Sequence, residues 1–347
     1  MAVKQSFRLG VLGSVFLYTI FSWGAGIELG DTSFEVESNA KIEKTADLGG
    51  PTTFSVENSV GNISVEGTNL DQMVLEVVST GKGSAKVEWT VPESGKMRIK
   101  AVYPSGGGSI SSSMGISSGG SYINIGGRVF RGGSVSIING KVIIDGQEVS
   151  MTSSSNPSLN FKIKIPKSQL AHIKMETVSG NIKLEDFSGD QDLNRERVVN
   201  TKTTSGDVTL ARVDALGGIS STTISGNIQA SALNVGEQGF QGRTTSGDMT
   251  LSKLRGPISV ETISGDVRSI VSSEGDISAK TTSGDIQISE HSEGGVRANS
   301  ISGDIKLNNP SATFEEPRTV SGTIKTNRSE RNSARRANVV HSNPFNF

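Results

Sequence analysis

Acidic side chains recur at one position of a phrase that the second half of the sequence repeats. The phrase is Ser-Gly followed by Asp or Asn, and its carboxylates are Asp207, Asp248, Asp266, Asp285 and Asp304. An array of carboxylates could bind cations, but an Asp after Ser-Gly could instead accept hydrogen bonds from nearby backbone amides at a bend. Repeat-type calcium sites need a GGxGxD pattern, which this sequence lacks. We therefore predict a structural turn motif and no metal site.

The other residues that could do chemistry form no catalytic or ligand pattern. The segment Asp190–Asn194 begins like an EF-hand loop, but Arg195 stands where glycine is required and Thr201 where glutamate is required. The sequence has no phosphate-binding GxxxxGK[ST] loop and no GxSxG nucleophile elbow. No HExxH spacing is formed by the three histidines, which are His172, His291 and His341. We predict no catalytic residue and no cofactor.

The glycines of the repeated phrase show how these side chains are positioned. Successive motif glycines are 26, 20, 21, 18, 19, 19 and 19 residues apart. A nearly constant period close to twenty residues is typical of a solenoid. The eight motif glycines are Gly180, Gly206, Gly226, Gly247, Gly265, Gly284, Gly303 and Gly322.

Residues that follow the Asp position alternate in character, as they do in strands. The next residue is always apolar, from Ile182 to Ile324, and the one after it is always polar, from Lys183 to Lys325. The third is mostly apolar again, and alternation also precedes the motif. Each repeat therefore reads as two short strands joined by a corner. We predict an all-β fold, a single-stranded β-solenoid of about 19–20-residue coils with an N-terminal strand-rich cap.

Two more columns accompany the corner. A Thr or Ser stands three residues before each glycine, and alternation directs it inward, where its hydroxyl could bond along the stack. The glycine is expected to supply a positive φ at the bend. The residue after the Thr alternates between Val or Ile and Thr, from Val178 to Val320, which doubles the repeat to near forty residues. An ice-binding array would need paired TxT columns, which are missing.

The rest of the chain divides by composition. Lys4 and Arg8 precede an apolar run of about fifteen residues, the pattern of a secretory signal, with an uncleaved membrane anchor as the alternative. We predict a signal peptide at 1–25, the cap at 26–165, the solenoid at 166–326 and a basic, disordered tail at 327–347. The cap contains an insertion at 104–149, with a flexible Gly/Ser-rich loop or linker at 104–127 and an Asn139-Gly140 hairpin.

The totals exclude several classes of function. The 347 residues include 34 Lys and Arg against 35 Asp and Glu, so there is no basic field for nucleic acid. The absence of cysteine excludes disulfides and thiolate chemistry. The 42 glycines and 5% aromatic residues suit a turn-rich all-β chain.

With these residues in view, the chain resembles the bacterial putative adhesin family, a domain of unknown function. The resemblance covers most of 50–326 and rests on the "VENSVGNISVEG" segment at 56–67, the "FKIKIP" strand and the SGD repeats. It implies a β-solenoid whose C-terminal half repeats the phrase, and it implies no agreed biochemical role. The insertion at 104–149 departs from the family pattern.

We expect an exported, non-enzymatic, adhesin-like binding or scaffold protein of the cell envelope, located in the periplasm or at the cell surface. Its partner would be an envelope protein or a surface glycan, bound by the outward face of the repeats or by 104–149. No membrane span is expected once the signal is removed. One alternative is a structural solenoid that self-associates through its ends, and a second is a polysaccharide-acting enzyme with acids gathered on one coil face.

Overall fold

The computed structural model describes residues 31–48, 52–90, 95–103, 157–188, 197–291, 294–308 and 317–327, with the backbone of short strands between 113 and 149 and at 313–314. These residues are almost all strand, and the one helix among them is a 3-10 turn at Lys167–Gln169. The predicted signal peptide, the Asp190–Asn194 segment and the tail after residue 327 lie outside the described residues.

Two large sheets contain most of the strands. Sheet A consists of β1 (Asp31–Val36), β3 (Thr52–Val60), β6 (Ala85–Thr90), β7 (Lys96–Val102), β15 (Leu170–Ser179), β17 (Val198–Lys202), β19 (Ile219–Thr222), β21 (Phe240–Arg243), β23 (Ile258–Glu261), β25 (Ile277–Ser283), β27 (Gly295–Ser302), β29 (Thr313–Phe314) and β30 (Arg318–Ser321). Sheet B consists of β2 (Lys41–Ala46), β4 (Ile63–Thr68), β5 (Met73–Thr80), β14 (Ser158–Pro166), β16 (Ile182–Phe187), β18 (Val208–Asp214), β20 (Ile228–Asn234), β22 (Met249–Arg255), β24 (Val267–Glu274), β26 (Ile286–His291), β28 (Ile305–Asn308) and β31 (Ile324–Asn327).

From β15 onward the chain alternates between the two sheets, so each coil contributes one strand to each sheet. Equivalent strands of successive coils pair in parallel and in register, with Val208 opposite Ile228 and Ile228 opposite Met249. This arrangement confirms the predicted β-solenoid. The coils can stack because neighbouring repeats place the same residue type at paired positions of adjacent strands.

The core is the space between the sheets. The apolar residue after each Asp position is fully buried from Ile182 to Ile305, as the alternation predicts. The same position in the last described coil, Ile324, is 42% exposed, because no described strand follows β31 in sheet B. Burial of each such side chain contributes about 1.5–3 kcal/mol, and most of it depends on the neighbouring coil.

Strict alternation fails in four coils of sheet B. Asp186, Arg212, Ala232 and Lys253 have φ values between 52° and 66°, and each lies between two inward residues that are three positions apart, such as Leu210 and Val213. The extra residue forms a stacked β-bulge. The sequence signal was the three-residue spacing of apolar residues, which the period-two interpretation passed over.

Sheets A and B extend into the N-terminal part of the chain. β3 pairs in parallel with β15 and β4 with β16, so the segment around Gly61 forms a further coil on the stack. Beyond it, β6 pairs antiparallel with β7 and β2 with β5. The edges of the coil around Gly61 are covered by β7, which pairs in parallel with β3, and by β14, which pairs in parallel with β4; the antiparallel strands β6 and β5 lie beyond them and cap the stack, as a solenoid end requires.

The insertion contains two three-stranded antiparallel sheets. One has the order β10 (Arg128–Arg131), β9 (Gly120–Ile125), β8 (Ser113–Ser117), and the other β11 (Val135–Ile138), β12 (Lys141–Ile144), β13 (Gln147–Val149). Ile138 pairs with Lys141, which matches the predicted two-residue connection at Asn139-Gly140. Within the predicted loop at 104–127, the described backbone of β8 and β9 is strand, since interspersed Ile, Tyr and Met residues favour strands despite the Gly/Ser content; residues 104–112 lie outside the described residues.

Arg197 begins the segment that enters β17, and its side chain is only 1% exposed. Its guanidinium donates hydrogen bonds to three backbone carbonyl oxygens, those of Phe187 at 2.9 Å, Asp214 at 2.9 Å and Lys167 at 3.0 Å. It also lies 5.5 Å from the centroid of the Phe187 ring. Arg197 therefore joins three chain segments inside the rod.

No helix in the described part of the chain is long and apolar enough to cross a membrane.

Candidate functional site

The motif glycines form one continuous column along the corner between the two sheets. A Cβ atom at Gly247 would lie 2.0 Å from the carbonyl oxygen of Gly226 in the preceding coil. At each of the other seven motif glycines, an added Cβ would lie 2.0–2.1 Å from the equivalent glycine oxygen of its own preceding coil. The expected positive φ was wrong as the general reason for glycine, since Gly206 alone of the eight has a φ between +20° and +160°. Glycine is required because consecutive corners touch backbone to backbone. The column is Gly180, Gly206, Gly226, Gly247, Gly265, Gly284, Gly303 and Gly322.

The Asp and Asn side chains beside the glycines form a ladder of hydrogen bonds. Each Oδ1 accepts a bond from the backbone N–H at the same position of the following coil, for example Asp248 from Asp266 at 2.9 Å and Asp266 from Asp285 at 3.0 Å. The sequence predicted acceptance within the same turn, whereas the partner lies one coil further along the chain. The ladder includes Asn62, Asn181, Asp207, Asn227, Asp248, Asp266, Asp285 and Asp304.

Asp304 gives the ladder a pH dependence that can be measured. The backbone N–H of Thr323, at 2.8 Å, and then the Thr323 hydroxyl lower the pKa of the Asp304 carboxyl below its ordinary value of 3.8. A lowered pKa stabilises the fold above about pH 3.8, and that stability is lost as the pH falls through the folded-state pKa. We expect Asp304→Asn to keep the acceptor and leave stability at pH 7 unchanged.

The measurement for Asp304→Asn is the free energy of unfolding between pH 7 and pH 2. The variant should lose less stability on acidification than the wild type, because an amide does not titrate. Asp71→Asn is the control, since the exposed Asp71 accepts no side-chain hydrogen bond from a described residue. Equal acid sensitivity in wild type and Asp304→Asn would contradict the assignment.

The Thr column points inward and bonds along the stack, as its alternation predicts. Thr244 Oγ1 donates to the carbonyl oxygen of Gly226 at 3.1 Å, and Thr223 Oγ1 donates to that of Gly206 at 3.1 Å. The same bond recurs at Thr177, Thr203, Thr262, Thr281, Ser300 and Thr319. These hydroxyls donate hydrogen bonds to the carbonyl oxygens of the motif glycines, which point away from the hydrogen bonds of the sheets.

Thr244→Val tests this column with a change of nearly equal shape. Loss of the hydroxyl leaves the Gly226 carbonyl without its donor, which we expect to cost about 1–2 kcal/mol of unfolding free energy. Thr245→Val is the matched control, because the neighbouring Thr245 faces solvent and surface changes stay within about 0.5 kcal/mol. Equal effects of the two substitutions in urea denaturation would contradict an inward hydrogen-bonding role.

The corner is therefore a structural element rather than a reactive site. Its oxygens and amides are bonded to neighbouring coils, and no group of three or more His, Asp or Glu in the described ranges could hold a metal ion. His172 on β15 and His291 on β26 lie on different sheets. The surface chemistry of the rod must come from side chains that the stack does not use.

The outward side of sheet A carries three parallel rows of such side chains, which we call face A. The first row is Asn200, Ser220, Gln241, Ser259, Ser278 and Arg297. The second row is Glu176, Lys202, Thr222, Arg243, Glu261, Lys280, Asn299 and Arg318. The third row, next to the corner, is Val178, Thr204, Ile224, Thr245, Ile263, Thr282, Ile301 and Val320.

The first row includes a depression of about 300 Å³. Ser259 and Ser278 form its floor between the longer side chains of Gln241 and Arg297, and Asp276 lies at its edge. A volume near 300 Å³ is at the lower limit for small-ligand sites; the open, mixed lining presents the Ser259 and Ser278 hydroxyls and the Gln241 amide, while Asp276 Oδ1 accepts a hydrogen bond from the Gly295 amide at 2.7 Å. These groups suit the recognition of hydroxyl-rich or charged ligands.

The second row is charged and lightly paired. Arg243 Nε lies 3.8 Å from Glu261 Oε2, and both side chains are largely exposed. The side chains of Lys202 and Lys280 are exposed and make no ion pair within the described part of the chain. Surface pairs of this kind contribute about 0–1 kcal/mol, so these charges remain available to a partner.

Sequence reasoning identified a different set of outward side chains. Lys183, Arg268, Lys306 and Lys325 lie on the outward side of sheet B, where Arg268 pairs with Asp266 at 3.0 Å. The sequence analysis noted the alternation of the third row from Val178 to Val320 but did not align the residues four places before each glycine, which form the second row. Aligning the residues four and two places before each glycine shows the second and third rows of face A.

Comparisons with known proteins agree with the architecture. A family model described as Toastrack DUF4097 matches residues 132–341, and this confirms the resemblance to an adhesin-like domain of unknown function. Among solved structures, the chain is similar to a putative cell adhesion protein from Clostridium sporogenes ATCC 15579, with 8% identity, a TM-score of 0.24, and coverage of 83% of this chain and 99% of that chain. A TM-score of 0.24 supports no conclusion about this chain. No curated protein matches the chain.

Proposed function

The chain belongs to the Toastrack DUF4097 family, and from that premise we propose that it is an exported, non-enzymatic, adhesin-like protein of the cell envelope that binds through face A. Its location would be the periplasm or the cell surface. The basic and apolar N-terminal pattern at 1–25 supports export. An adhesin-like or scaffold role fits the family and the rod-shaped stack of coils.

One observation carries the proposal: face A presents exposed polar and charged side chains on strands held in register along the rod. Parallel pairing spaces these side chains by about 4.8 Å from coil to coil. The hydrogen-bonded corners fix the strands, so binding would order little besides the side chains. A surface of this kind suits an extended partner better than it suits a small substrate undergoing a reaction.

Filling the depression tests whether face A binds. We expect Ser278→Trp to abolish retention of the purified, exported chain by envelopes sedimented from the producing cells. Gln287→Trp is the matched control, because it places the same side chain on the outward side of sheet B in the adjoining strand of the same coil. Circular dichroism and thermal unfolding should be unchanged in both variants, since both positions face outward.

Two outcomes would contradict the proposal. Loss of retention on deletion of 104–149, with Ser278→Trp still binding, would transfer the function to the insertion. Release of reducing ends from envelope polysaccharide by the wild type would make the chain an enzyme. Retention by face A without turnover is the expected result.

Self-assembly is a second candidate, favoured by the last described coil. Val320 and Ile324 are 84% and 42% exposed, whereas the column that contains Ile324 is buried in every earlier coil. Among the described strands none pairs with the outer edge of β30 or β31, and parallel edges of this kind are templates for strand addition. Sedimentation velocity at rising concentration tests this, and a monomer throughout would exclude it.

A further inference from the structure

Face A has a repeat of two coils, and this gives physical meaning to the doubling seen in the sequence. In coils with the sequences KTTSGD, RTTSGD and KTTSGD, a cation in the second row lies beside Thr in the third row; these segments are 202–207, 243–248 and 280–285. The intervening coils carry no cation in the second row and have Val or Ile in the third row. Those segments are 176–181, 222–227, 261–266 and 299–304.

Because the strands pair in register, the alternation of cations in the second row repeats at a fixed distance along the rod. Lys202 pairs with Thr222, Thr222 with Arg243, Arg243 with Glu261, and Glu261 with Lys280. Consecutive cations are thus two strand spacings apart, or about 9.6 Å along the rod. From Val178 to Ile301 the apolar side chains repeat with the same period, offset from the cations by one coil, whereas the last described coil carries both Arg318 and Val320.

The apolar members of the third row remain unusually open to solvent. Val178, Ile224, Ile263 and Ile301 are each about half exposed, between 49% and 54%. A line of β-branched side chains at solvent is costly unless a partner covers it, and regular exposed apolar patches mark binding surfaces. No described strand of the chain lies over them.

The structure assigns face A as the binding site of an extended, anionic polysaccharide with one carboxylate per disaccharide, lying along the rod axis. This inference rests on the proposed function and names its ligand class. A disaccharide of an extended β-linked chain has nearly the length of two strand spacings, so each carboxylate could meet one cation. The C–H faces of the intervening sugars would pack on the Val and Ile side chains.

Charge fixes the lateral position of this ligand. The carboxylates of Asp207, Asp248 and Asp285 lie across the corner from the third row and would repel an anionic chain placed there. The favourable position is above the third row, beside the cations of the second row. Of the carboxylates in that second row, Glu261 lies 3.8 Å from Arg243 Nε, which offsets part of its charge, and Glu176 lies at the N-terminal end of the row. A nucleic acid fits less well, because its phosphates repeat more closely than two coils and the chain has a net charge of −1.

The test uses the full exported chain with hyaluronan oligosaccharides, which carry one carboxylate per disaccharide, and neutral chitin oligosaccharides of equal length. We expect calorimetry to show hyaluronan binding that weakens with salt, and at least roughly tenfold weaker chitin binding. Lys202→Gln with Lys280→Gln should weaken hyaluronan binding roughly tenfold, the effect of losing two exposed ion pairs. Lys162→Gln with Lys306→Gln, on the outward side of sheet B, should change it less than about twofold.

A swap variant separates the period from simple charge. Lys202→Thr with Thr222→Lys keeps composition and net charge but moves one cation by a single coil. We expect the swap to weaken hyaluronan binding roughly threefold, the effect of losing one exposed ion pair. Unchanged binding in the swap, equal binding of chitin, or a salt-independent dimer joined through face A would each overturn the assignment.

Failure here is distinguishable from failure of the proposed function. Envelope retention that Ser278→Trp abolishes, together with no binding of hyaluronan, would remove this ligand class and leave face A as a binding site. Hyaluronan binding that follows the period, without envelope retention, would contradict the proposed target and keep the ligand assignment.

Discussion

Replacement of Arg197 by methionine is expected to lower the free energy of unfolding by about 3–5 kcal/mol. The guanidinium is buried, and it donates to the carbonyl oxygens of Phe187, Asp214 and Lys167, which belong to three separate segments. Methionine has similar length and would keep much of the packing against the Phe187 ring. The three carbonyls would then lose a donor inside the rod, where water cannot easily replace it.

The measurement is equilibrium unfolding in urea, with two companion variants. Arg255→Met removes an exposed arginine from β22 and should cost less than about 0.5 kcal/mol. Arg197→Lys keeps the positive charge and part of the hydrogen bonding, so its loss should fall between the other two. A loss below about 1 kcal/mol for Arg197→Met would show that the three bonds are replaceable.

Gly247→Ala is expected to cost about 3 kcal/mol or more, although it adds a single methyl group. The new Cβ would lie 2.0 Å from the carbonyl oxygen of Gly226, against 3.4 Å or more for ordinary contact. Neither atom can rotate away, because both belong to the backbone. Relief of the clash must separate two coils by more than an ångström, which stretches the neighbouring bond from the Asp248 amide to Asn227.

Two other glycines calibrate this effect. A Cβ at Gly242 would meet the side chains of Phe240, Val260 and Met249 at 3.0–3.3 Å, and side chains can shift, so Gly242→Ala should cost less. Gly322→Ala makes the same backbone clash as Gly247→Ala but in the last described coil, which can move away locally. Equal losses at all three positions in thermal unfolding would contradict the stacking argument.

The fold could be predicted because the eight repeats agree with one another when they are aligned on the motif glycine. The column that runs from Val208 to Ile305 is apolar and buried in every coil, and only stacked strands bring those positions together. The roles of single residues were harder to predict. A glycine needed for a positive φ and a glycine needed for close approach look identical in sequence, and so do a carboxylate bonded within its turn and one bonded to the next coil.

The remaining features depend on packing that no local pattern shows. Arg197 lies in a polar, charged stretch, and nothing in its neighbours indicates that three distant carbonyls surround it. The hairpin strands β11 and β12 of the insertion were predicted, whereas β8 and β9 were not, because composition outweighed alternation there. Face A could have been found from the sequence, since its two-coil alternation at Lys202 and Thr222 was visible once the columns before the glycine were aligned.

The direction of the bonds between coils also determines how the rod would respond to mechanical force. Parallel pairing and the Asp and Asn ladder both join each coil only to its neighbours, along the long axis. A pull between the two ends would therefore load every interface between coils equally, and the weakest interface would open first. A tethered rod would lengthen in small successive steps, because each coil that separates releases a short length of chain. It would therefore not unfold all at once when its attachment is pulled.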